Sequence, residues 1–162
     1  MVSSETDETQ NRGAPGELEL IREFVNTVDI EDGEERLTSP EALAAWLEDH
    51  GTEAEPRPGA ADLEAAAERA SVRLGVDGDG RVSVLPSGGG VDGFVARLLE
   101  IVARSQVEGT WARLKACPDE TCAWAFYDES RNSSRTWCSM GVCGNRAKTR
   151  RYRKRRRERP AA

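Results

Sequence analysis

Apolar residues recur at helical spacing soon after the chain begins. Leu18, Ile21, Phe24, Val25 and Val28 share one face and predict an amphipathic helix that ends near Asp29, before Asp32 and Gly33. Ser39 followed by Pro40 has the form of an N-cap with proline at the first helical position. It predicts a second helix with Leu43, Trp46 and Leu47 on one side and a stop at Gly51. Pro56 and Pro58 break the chain. Leu63, Ala66, Ala67, Ala70 and Leu74 then keep the helical period, predicting an alanine-rich helix over residues 60–74 closed by Gly75. Asp77-Gly78-Asp79-Gly80 reads as a turn, residues 81–85 alternate like a short strand, and residues 92–107 form another helix through Phe94, Val95, Leu98, Leu99 and Val102. Residues 1–16 are polar, with Gly13, Pro15 and Gly16 and no apolar period, so a disordered leader is expected there.

The pattern changes character after residue 110. The four cysteines of the chain, Cys117, Cys122, Cys138 and Cys143, are spaced C-x4-C-x15-C-x4-C. Two close pairs joined by a longer loop can supply the four thiolates of a closed tetrahedral zinc site. Paired disulfides are the alternative and need an oxidising compartment. The opening Met1-Val2-Ser3-Ser4-Glu5 shows no basic segment followed by an apolar one, so reduced cytoplasmic thiols are expected. A thioredoxin-type redox pair or an iron–sulfur cluster matches two symmetrical pairs less well than one structural Zn2+ does. Trp124, Phe126 and Trp137 flank the cysteines and would shield the site from water. A four-sulfur shell leaves no coordination position for a substrate water, which disfavours catalysis by the metal.

Charge divides the chain at the same place. Residues 1–110 carry 24 acidic and 9 basic side chains, and residues 111–162 carry 5 and 14, so a formal net charge of −6 hides halves of −15 and +9. After Cys143, Gly144 and Asn145 suit a turn or cap, and the segment from Arg146 to Arg159 is rich in helix formers and cations. Such a helix repels itself and needs a polyanion to order it fully. Nucleic acid has that charge density, whereas Tyr152 alone gives the arm no face for inserting into a membrane. No run of eighteen apolar residues is present to span one. If six to eight side chains met phosphates, log K against log salt should slope by roughly −5 to −7.

Other motifs fail on inspection. Asp77-Gly78-Asp79-Gly80 starts like a calcium loop, but Arg81, Val82 and Gly88 stand where an acid, a glycine and a bidentate glutamate are needed. Gly88-Gly89-Gly90-Val91-Asp92-Gly93 fits G-x-G-x-x-G without the parallel strands of a dinucleotide fold, so a glycine loop is the better account. His50, the only histidine, is expected at a helix end against free carbonyls. No acid, base and nucleophile set accompanies it, and the chain is not expected to be an enzyme.

The string Cys117-Pro118-Asp119-Glu120-Thr121-Cys122, then Trp124, Phe126 and Asp128, then Ser130-Arg131-Asn132, Trp137-Cys138-Ser139-Met140 and Cys143-Gly144-Asn145-Arg146-Ala147-Lys148 resembles the CGNR-type zinc finger of bacterial stress-induced transcription regulators. Phe24-Val25-Asn26-Thr27 and residues 40–47 resemble the opening of the ABATE domain that accompanies that finger, while residues 51–90 are shorter and richer in glycine. The resemblance implies Cys117, Cys122, Cys138 and Cys143 as ligands of one structural Zn2+, and a DNA-binding role in the cytoplasm, at the nucleoid. It leaves any small-molecule effector of the amino-terminal domain unspecified.

The expected fold is therefore mainly α with small β content: leader 1–16, helical ABATE-like domain 17–110, four-cysteine finger 111–155 and basic tail 156–162. Asn145, Arg146, Lys148, Arg150, Arg151, Arg153 and Lys154 are the expected nucleic-acid contacts, Asn145 having a structural cap as its competing role. RNA binding, or an adaptor whose basic arm docks an acidic protein, are the rival functions. The acidic half is expected to restrain the basic arm.

Overall fold

A computed structural model describes residues 13–52, 68 and 70–158. Four helices alternate with three two-stranded antiparallel sheets among these residues, so helix predominates with more strand than the periodicity suggests. Helix α1 (Leu18–Val25) buries Leu18, Leu20 and Ile21. It stops before the expected Asp29, because Val28–Asp29 (β1) turns back to pair with Glu34–Glu35 (β2) across the turn at Asp32 and Gly33. Helix α2 (Pro40–Asp49) starts as the sequence predicts: the Ser39 hydroxyl accepts from the Ala42 N–H at 3.1 Å, with Pro40 in the first turn.

Part of the predicted alanine-rich helix is a strand. Residues 60–67 and 69 lie outside the described set, but Ser71–Val76 (β3) is extended and pairs with Val82–Ser87 (β4). Val72, Leu74 and Val76 alternate with Arg73 and Gly75, and the turn centred on Gly78 and Asp79 sets them opposite Pro86, Val84 and Val82. Leu74 satisfied the helical period as well as the strand period, and pairing decided between them. No parallel strands occur among the described residues, in keeping with a glycine loop at 88–90. That loop leads into α3 (Gly90–Glu108), which ends at left-handed Gly109, φ 75°.

The core joins Leu18, Ile21, Leu43, Leu47, Phe94 and Ile101 from α1, α2 and α3. Phe24 meets Phe94 edge-on at 5.3 Å between ring centroids, and Trp46 meets Phe94 at 5.6 Å. His50 closes α2 as expected, its Nδ1 lying 2.6 Å from the Trp46 carbonyl. The core does not stop at residue 110: Trp111, Leu114 and Tyr127 pack into it. Trp111–Arg113 is a 3-10 turn, and it feeds Leu114–Ala116 (β5), which pairs with Ala125–Tyr127 (β6). Asn26 fastens this hairpin to α1, its Nδ2 donating to the Ala125 carbonyl at 2.9 Å and its Oδ1 accepting from the Ala125 N–H at 2.8 Å. No described helix is long and apolar enough to cross a membrane.

Candidate metal centre and its basic helix

The β5–β6 hairpin presents the first cysteine pair in its loop. The Cys117 N–H donates to the Trp124 carbonyl at 2.9 Å, and the N–H groups of Cys122 and Ala123 both donate to the Asp119 carbonyl. Ala123 takes a left-handed conformation, φ 49°, to close this knuckle. The Asp119 side chain is buried; one oxygen accepts from the Thr121 backbone and hydroxyl, and the other accepts from Arg150 at 2.9 Å.

The second pair is placed by two devices. Asp128, with no exposed surface, accepts from Lys115 Nζ at 2.6 Å and from the backbone N–H groups of Ser130 and Arg135 at 2.9 Å each. Burial alone would raise the Asp128 pKa, but Lys115, Ser130 and the Arg135 N–H outweigh it and hold the carboxyl far below its usual range. Arg135 then donates to the carbonyls of Trp137 and Cys138 and lies over the Phe126 ring at 4.8 Å. Beyond Cys138, the Ser139 hydroxyl accepts from the Val142 N–H at 3.2 Å, and Met140–Gly144 forms one wide π-helical turn. Gly144 leaves room there for the Met140 thioether, where a β-carbon would collide with it.

All four sulfurs lie within 4.8 Å of one another, Cys122 to Cys138 at 3.5 Å and Cys138 to Cys143 at 3.7 Å. Four thiolates at about 2.3 Å from a tetrahedral Zn2+ are about 3.8 Å apart, so the cluster has the size that ion requires. The distances exceed a disulfide bond, and all four thiols are free. Burial, then the neighbouring sulfurs, pushes the Cys138 thiol far up, and burial is the main cause of Cys143 reaching about 12. Backbone donation from Cys138 and Asp119 overcomes burial to lower Cys117. A divalent cation is what would let such crowded sulfurs lose their protons together. Phe126 is fully buried, whereas Trp124 and Trp137 keep part of their surface exposed.

Helix α4 (Asn145–Glu158) begins two residues after Cys143 and carries nine cations against Glu158. The expected nucleic-acid contacts separate into two groups. Asn145 donates to the Gly141 carbonyl at 2.9 Å and so stiffens the turn; Arg150 is held by Asp119, and Arg146 by Glu31 in the β1–β2 turn. Lys148, Arg151, Arg153 and Lys154 are exposed and make no ion pair among the described residues. Sequence reasoning assigned no role to Asp119, to the Asp128–Lys115 pair or to Glu31. Asp119-Glu120-Thr121 does carry the local signal of an aspartate that caps its own turn; Glu31 has no comparable signal.

The family model of the CGNR zinc finger matches residues 113–156. The ABATE model, described as "Putative stress-induced transcription regulator", matches residues 18–106. No curated protein matches the chain.

Proposed function

The chain belongs to the ABATE family and carries a CGNR zinc finger at its carboxyl end, and on that premise we propose that it is a zinc-dependent, duplex-DNA-binding regulator of transcription with no catalytic activity. One observation carries the reading: a helix of nine cations starts directly from a four-thiol cluster of the size that Zn2+ requires. Cys117, Cys122, Cys138 and Cys143 would hold one structural ion. That ion supplies folding energy rather than chemistry, because four sulfurs fill its shell.

In this reading the metal fixes the first turn of α4, and Asp128 and Arg135 place the third ligand. Lys148, Arg151 and Arg155 then lie along one flank of the helix, three and four residues apart, and Arg146, Arg150 and Arg153 along the opposite flank, so a helix set in a groove of the duplex can meet a phosphate backbone on either side. Three contacts on the first flank and one phosphate held among the three arginines of the second give about four phosphate contacts, fewer than composition suggests. Fluorescence anisotropy with labelled duplex DNA tests this. The slope of log K against log salt should be about −4, and K148Q/R151Q/R155Q should reduce it to about −1. Absence of DNA binding by the zinc-loaded chain at low salt would refute the proposal and leave the basic arm to an acidic protein partner.

A further inference from the structure

We propose that the open groove along α4 lined by Arg146, Arg150 and Arg153 seats a DNA phosphate, and that Glu31 occupies Arg146 in that phosphate's place until duplex DNA displaces it. The inference rests on the DNA-binding reading and specifies how the same helix is restrained. The groove measures about 520 Å³, with Gly141, Val142, Asn145 and Thr149 as its other walls. Its three arginines stand at positions i, i+4 and i+7 of α4, on one face.

Two of them already hold carboxylates, in different ways. Asp119 is buried and tied to Thr121, so it orients Arg150 permanently while leaving that side chain half exposed. Glu31 is exposed and lies 115 residues from its partner, in the turn between β1 and β2. Both terminal nitrogens of Arg146 donate to it, one to each carboxylate oxygen. This is the two-pronged geometry with which arginine also grips phosphate.

The turn aims Glu31 specifically. Asp29 accepts from the N–H groups of Glu31 and Asp32 at 2.9 and 3.2 Å, which fixes the backbone, and Glu35 accepts from the Leu37 N–H at 2.8 Å. Asp29, Asp32, Glu34 and Glu35 thus surround Glu31 without pairing with α4. Because the Glu31–Arg146 pair is exposed, it can exchange, and it should change the affinity for DNA several-fold rather than block binding. The amino-terminal unit would in this way set the affinity of the carboxyl-terminal helix through one carboxylate.

The test is a double-mutant cycle in the zinc-loaded full chain, with mixed-sequence duplex DNA at low salt. E31Q should bind about three- to fivefold tighter than wild type. E34Q, which removes the same charge from the same hairpin, should change affinity by less than about 1.5-fold. Introduced into R146Q, E31Q should gain nothing. If wild type binds but E31Q gains no more than E34Q, or still gains without Arg146, the competition is overturned while DNA binding stands. If neither wild type nor E31Q binds, both the competition and the DNA-binding reading fall.

Discussion

Asn26 closes α1, yet its side chain serves as an extra strand residue, meeting both backbone groups of Ala125 in the buried seam between the helices and the finger. N26A should cost about 2–3 kcal/mol in urea unfolding, since it leaves the Ala125 N–H and carbonyl without partners. N26D should be worse, because it sets a carboxylate oxygen against the Ala125 carbonyl; a smaller loss than N26A would contradict that geometry. Asp128 makes a second prediction. D128N should destabilise by about 3 kcal/mol at neutral pH by leaving Lys115 without its anion. The Asp128 pKa is lowered on folding, so its stabilisation is complete above the unfolded value of about 4 and is lost as pH falls through the folded value. The gap between wild type and D128N should therefore stay constant from pH 7 to 5 and narrow below about pH 4. The clustering of the four cysteines was readable because chelation imposes a spacing on the chain itself. The partner of Asn26 lies 99 residues away, and one sequence carries no record of such a contact.

Among the elements, α1, α2 and α3 were legible because each keeps an apolar helical period, and α2 has in addition a recognisable start in Ser39-Pro40 and stop at Gly51. β3 was not: Leu74 fits both periods, and only its place opposite Val84 selects the strand. β6 is three residues long, too short for a period to appear in its sequence. Helix α4 was foreseen as a self-repelling element that starts directly after the last cysteine. The structure adds Asp119, which reaches across from the first knuckle to Arg150 and fastens the second turn. D119N should speed amide hydrogen exchange in residues 146–152, whereas E120Q, which alters an exposed neighbour, should leave it unchanged. Equal effects of the two variants would show that the second turn is held by something other than this pair.

At the scale of the whole molecule, the division into a −15 half and a +9 half was visible in composition, and so was the expectation that one restrains the other. Composition did not reveal that the halves share a core through Trp111, Leu114 and Tyr127, or that Glu31 meets Arg146 where they adjoin. Charge totals describe long-range attraction; they do not identify the carboxylate a turn will aim at one guanidinium. The shared core also bears on metal loss. Chelation should melt the knuckles and α4 while α1, α2 and α3 retain their mutual packing, giving a partial loss of helical circular dichroism that leaves a cooperative urea transition. The most direct test is the affinity of the full chain for duplex DNA at low salt before chelation, after chelation and after return of zinc. The account predicts a loss of about tenfold or more on chelation, restored by one equivalent of Zn2+ per chain; an affinity unchanged by metal removal would contradict it.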